Sequence, residues 1–138
     1  MDDFKLETAC DSILSLIPSS KDLSEKDNLI REAAYLIFAK VSYPNQAEYW
    51  NSGVRNLIEM ILAFVATDED TVNAGKNNLR YFRDILLSLK NNKPIPNLIS
   101  CAGSRERADK FYLMTPRTQK MIAEEIAVRL DEILIAEL

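Results

Sequence analysis

Apolar residues recur along this chain with the three-to-four-residue step of amphipathic helices, and nowhere with the two-residue alternation of strands. Phe4, Leu6, Ala9, Cys10, Ile13, Leu14, Leu16 and Ile17 mark a first helix, which Pro18 closes. The polar stretch SSKDLSEKDN follows. Within it Ser24 and Asp27, three residues apart, resemble a capping box that would start a second helix. Leu29, Ile30, Ala33, Ala34, Ile37 and Val41 give that helix its apolar face, and it ends before Pro44.

A third helix, starting near Asn45 or Gln46, carries Trp50, Val54, Leu57, Ile58, Ile61, Leu62 and Val65. Met60, Ala63 and Phe64 fill much of its remaining circumference. A helix apolar nearly all round is buried on most sides, so Gln46–Ala66 is expected to be the central helix. Gly53 near its start costs about 1 kcal/mol relative to alanine, which a close helix crossing would justify.

The acids of TDEDT favour a helix start at Asp68 to Thr71. Leu79, Phe82, Ile85, Leu86 and Leu89 carry this fourth helix on to about Lys90. The stretch NNKPIPNLISCAGS then breaks regularity, with short helical turns expected at Asn97 to Cys101 and at Arg105 to Leu113. Thr115-Pro116 supplies a capping hydroxyl and a proline at the first helical position. From there Met121, Ile122, Ile126, Leu130, Ile133 and Leu134 predict a long last helix. The expected fold is all-α, a single bundle of about five to six helices around a buried central one. Residues 1–138 read as one domain, and the abrupt end inside an apolar helix suggests a domain excised from a longer protein.

Composition narrows the function. Apolar residues at 47% and charged residues at 28% place the chain among globular proteins. Its longest apolar run, Met60 to Ala66, is far short of the roughly 20 residues of a membrane span, so no direct membrane contact is expected. There is no histidine, and the two cysteines, Cys10 and Cys101, are far apart, which leaves too few ligands for zinc. Both cysteines read as reduced thiols of a cytosolic protein, with a disulfide as the alternative. Neither a nucleophile–base arrangement nor a glycine-rich phosphate loop can be built. The carboxylate pairs Glu124-Glu125 and Asp131-Glu132 fall on the outer side of the last helix, where neighbours diverge by about 100° and are solvated. The chain reads as a binding module without cofactors or catalysis.

Charge divides the chain. Residues 1–69 hold 6 basic and 12 acidic side chains, and residues 70–138 hold 11 and 9. Lys76, Arg80, Arg83 and Lys90 are spaced as an exposed stripe of the fourth helix. Lys93, Arg105, Arg107 and Lys110 follow in the irregular segment and just beyond it. This face would take an acidic protein partner or the backbone of DNA, or is simply solvated.

One stretch is more specific. YWNSGVRNLIEMILAF resembles a segment of type IV secretion coupling proteins, the TraG/TraD-like family, that often reads Phe-Trp-x-x-x-Ala-Arg-x-Leu-Leu before an apolar helix. Tyr49 stands at the first aromatic position, Trp50 at the tryptophan, Val54 at the small residue, Arg55 at the arginine and Leu57-Ile58 at the aliphatic pair. NLIREAAYLIFAKVS and TPRTQKMIAEEIAVRL resemble the flanking helices, so the likeness spans roughly residues 25–130. Tyr49 and Val54 depart from the usual residues, and the Walker motifs are missing. The resemblance implies the all-α domain inserted in a hexameric, membrane-anchored ATPase, facing the cytoplasm. Such a domain recruits protein substrates, adaptors, or relaxase–DNA complexes. Alone, it would be monomeric and without ATPase activity. A free-standing adaptor or chaperone of a secretion system, or a helical DNA-binding module, are the alternatives. On physical grounds Arg55 is expected to pair with an acid or carbonyl of a neighbouring helix.

Overall fold

The computed structural model describes residues 5–42, 47–98 and 105–138, the side chains of residues 105 and 106 excepted. Seven helices, and no strands, make up the regular structure of the described residues: α1 (Leu6–Leu16), α2 (Leu23–Val41), α3 (Glu48–Thr67), α4 (Glu69–Asn73), α5 (Leu79–Lys90), α6 (Arg105–Tyr112) and α7 (Pro116–Ala136). The all-α bundle expected from the pattern is the observed fold.

Helix α3 is the axis of the bundle, packed against α2, α4, α5, α6 and α7. Every residue from Met60 to Ala66 is buried, as an all-round apolar run requires. The expected start at Asn45 or Gln46 lies outside the described residues, as do Phe4 and Cys101. Gly53 marks a close crossing. A Cβ built there would run into Met114 Cε and stand 2.7 Å from Ile122 Cδ1.

The single fourth helix of the sequence reading is two helices. Gly75, at φ +72°, takes the left-handed conformation that terminates α4. Lys76 N–H donates to Thr71 O and Gly75 N–H to Val72 O, each at 3.0 Å, which is the Schellman pattern. The chain restarts at Asn78, whose Oδ1 accepts from Tyr81 N–H at 3.0 Å. Helix α6 is the short element expected at Arg105 to Leu113, and with the break after Gly75 the described residues form seven helices against the expected five to six. A similar left-handed residue, Asn92, ends α5 before Pro94, with Lys93 N–H returning to Ser88 O.

Caps settle two other starts. Helix α2 is capped by Asp22, whose carboxylate accepts from Ser24 N–H at 3.0 Å, so the cap lies two residues upstream of the expected Ser24–Asp27 box. Helix α7 starts as expected, with Thr115 Oγ1 accepting from Thr118 N–H and Pro116 following. Of the turn expected at Asn97 to Cys101, Asn97 is outside any helix, Leu98 has 3₁₀ conformation, and residues 99–101 lie outside the described residues.

Candidate protein-recognition surface

The Tyr49–Ile58 motif occupies the first three turns of α3, where the helix emerges from the core. Leu57 and Ile58 are fully buried and Val54 nearly so. Tyr49 points outward and is 62% exposed. Between them Trp50 is half-buried: its ring packs against the core while one side remains open.

Arg55 differs from expectation in its partner. Its Nη2 bonds Glu48 Oε2 at 2.8 Å, an acid two turns earlier on its own helix. What reaches the neighbouring helix is the guanidinium face, with Cζ 5.2 Å from the ring centroid of Phe38 on α2. The arginine therefore links the motif to α2 through an aromatic face, and its ion pair stays at the surface.

Trp50 forms one wall of a groove of about 390 Å³ against the outward side of α7, lined also by Met121, Glu124, Glu125, Val128, Arg129 and Glu132. Its Nε1 is sealed from solvent; the N–H faces Glu125 but stops short of hydrogen-bond geometry. Burial pushes the Glu125 carboxyl above its ordinary range, an effect that the indole N–H and the Arg129 guanidinium partly offset. Arg129 itself reaches back to Lys40 O at 3.3 Å and lies 3.9 Å from Glu132. The carboxylate pairs do diverge as adjacent helical residues must. Glu124 and Glu132 are exposed, whereas Glu125 enters the groove and Asp131 pairs with Arg83.

The basic residues do not form one free face. Lys76 lies outside any helix, in the connection after Gly75, with its Nζ 5.6 Å from the Tyr81 ring centroid. Arg80 Nε bonds Glu7 of α1 at 2.8 Å. Arg83 bonds Asp131 of α7. Arg107 is the most enclosed: with its side chain 11% exposed, it bonds Glu59 of α3 at 2.5 Å and Asp27 of α2 at 2.7 Å. Burial alone would weaken its positive charge, but these two carboxylates more than compensate and raise its pKa. Lys93 and Lys110 are exposed, Lys90 is half-buried, and none of the three joins an ion pair among the described residues. The side chain of Arg105 lies outside the described residues.

Three of the eight basic candidates thus hold helices together, which a one-dimensional charge count cannot reveal. The groove was missed because Met121 was counted into the apolar face of the last helix and Val128 was not singled out. Their exact spacing of seven residues, against a core face set by Ile122, Ile126 and Leu130, was the available signal.

Comparison of the chain with protein-family models, with curated proteins and with solved structures finds no match. No helix among the described residues is long and apolar enough to cross a membrane.

Proposed function

We propose that this chain is a substrate- or adaptor-recognition domain of a type IV secretion coupling protein, acting by binding rather than by catalysis at the cytoplasmic face of a secretion channel. The observation that carries the reading is the position of the Tyr49–Ile58 motif. It opens the central helix of an all-α bundle, and it holds a half-buried tryptophan at the edge of a groove. Aromatic side chains that are half-buried beside a concavity are what protein-binding surfaces are made of.

A DNA-binding role is less well supported, because Arg80, Arg83 and Arg107 are committed to intramolecular carboxylates and could contact phosphate only by giving these up. The partners are then proteins: a transfer substrate, an adaptor, or the relaxase of a relaxase–DNA complex. The coding sequence on either side of this segment tests the reading. Walker motifs flanking it in the same frame support the coupling-protein assignment. Stop signals bracketing it closely would replace that assignment with a free-standing helical adaptor.

A further inference from the structure

Helix α7 carries two faces. Ile122, Ala123, Ile126, Ala127 and Leu130 are buried against the bundle. On the other side stand Met121, Val128 and Ile135, 48%, 46% and 68% exposed. They are spaced by seven residues, so they align within about 40° along roughly 20 Å of helix. Core packing does not need them there. An apolar residue every seventh position is the seam along which a second helix lies when it crosses at about 20°.

The surroundings of this seam define what can lie on it. Glu124 and Glu132 flank it and are exposed, and Glu125 flanks it from within the groove. Arg129, the one cation among the described residues that line the groove, is directed to Lys40 O and toward Glu132. Trp50 closes the far wall, so the concavity offers an aromatic surface to a side chain inserted from outside. Around Val128, at the middle of the seam, a second copy would set carboxylates against carboxylates and an anionic lipid surface would meet the same repulsion, while the exposed cations Arg117 and Lys120 lie only at its N-terminal end. A partner bearing cations beside its apolar stripe meets neither.

We propose that the outward face of α7, with Trp50, binds an amphipathic helix of a partner protein whose apolar stripe is flanked by lysine and arginine. Met121, Val128 and Ile135 form the seam, an apolar anchor of the partner fills the groove beside Trp50, and Glu124, Glu125 and Glu132 meet the flanking cations. Ionised Glu125 is held in the groove at a cost, and a cation arriving there offsets that cost. The surface gives the recognition-domain reading a partner chemistry, yet its test is independent of it, since the flanking coding sequence decides the parent protein and peptide binding decides the surface.

The probe is a synthetic 21-residue helix with a leucine every seventh position and lysine flanks, compared with its glutamate-flanked counterpart. Trp50 is the single tryptophan of the chain, so its emission reports occupancy of the groove directly. Calorimetry gives the affinity. The lysine peptide is expected to bind at least about tenfold more tightly than the glutamate peptide, with a blue shift of Trp50 emission. Val128→Glu should weaken the lysine peptide about tenfold while helical circular dichroism is unchanged, and Met121→Glu serves the same purpose if that variant does not fold. Glu124→Lys with Glu132→Lys should reverse the preference, and Glu25→Lys on α2 should leave it as it was. No binding of the lysine peptide, equal binding of the two peptides, or insensitivity to the seam variants would overturn the proposal. So would a dimer of the free protein that Val128→Glu converts to monomer, which would assign the seam to self-association.

Discussion

Cys10 is fully buried, with its Sγ 3.9 Å from the Ala33 carbonyl of α2. Burial, reinforced by the nearby Asp11 and Glu137 carboxylates, pushes the thiol up to about 12 from an ordinary 9.0. A thiol whose folded pKa is raised holds its proton more tightly in the native state. The associated stability is therefore complete below about pH 9 and declines as pH rises from there toward 12. In a Cys101→Ser background, Cys10 is expected to react with a disulfide reagent only at the rate of unfolding at neutral pH. Rapid stoichiometric labelling of the folded protein would show that the thiol is not enclosed. Trp50 belongs to the same scale. Because one side of its ring faces the groove, Trp50→Ala should cost about 2 kcal/mol in chemical denaturation, less than the 3–5 of a fully buried aromatic. A loss above about 4 kcal/mol would mean that the ring is core and the groove closed in solution. Burial of Cys10 was readable from its place in an apolar period. The half-exposure of Trp50 was not, since periodicity gives a residue's angle on its helix but not where the neighbouring helix stops.

At the scale of elements, α3 and α7 follow their hydrophobic periods closely, because long helices with continuous apolar faces leave packing no alternative. The fourth helix was misread where two local signals, Gly75 as a terminator and Asn78 as a cap, competed with a period that resumes in phase at Leu79. Such breaks are legible when the glycine is weighed first. Gly53 presents the opposite case, a glycine retained inside a helix because α7 and the turn before it come so close. An added Cβ meets Met114 Cε and Ile122 Cδ1, which must shift to admit it, but both are the far ends of flexible side chains. Gly53→Ala should thus lie within about 1 kcal/mol of the parent, its gain in helix propensity offsetting the crowding. Gly53→Leu, with three more carbons to place, should lose about 2 kcal/mol or more. A leucine variant as stable as the parent in urea would show that α7 does not press on α3 at this point.

Across the whole molecule, contacts far apart in sequence fasten the ends of helices, among them the start of α1, which has no side-chain cap of its own. Lys5, before α1, offers no side-chain bond to its first turn. The Glu137 carboxylate does so from the other end of the chain, accepting from Leu6 N–H at 2.9 and 3.0 Å. Asp11 of α1 accepts in turn from Leu79 N–H at 2.8 Å, at the start of α5, while Arg83 of α5 bonds Asp131 of α7. Helices α1, α5 and α7 are joined in a ring of polar contacts around their apolar packing. No window of the sequence could have shown this, since the Leu6–Glu137 partners are 131 residues apart and each looks like an ordinary surface charge or an uncapped end. The first contact can be tested without disturbing the core. A carboxylate on the free N–H groups of a helix N-terminus contributes about 1 kcal/mol as acceptor and as counter-charge to the helix dipole. Glu137→Ala should therefore lose about 1 kcal/mol of stability, and hydrogen exchange should accelerate in the first turn of α1 while α3 keeps its protection. Glu137→Gln retains an acceptor but not the charge and should fall between the two. If the alanine variant exchanges in α1 like the parent, α1 is held by its apolar face alone and the contact between the two ends of the bundle carries no weight.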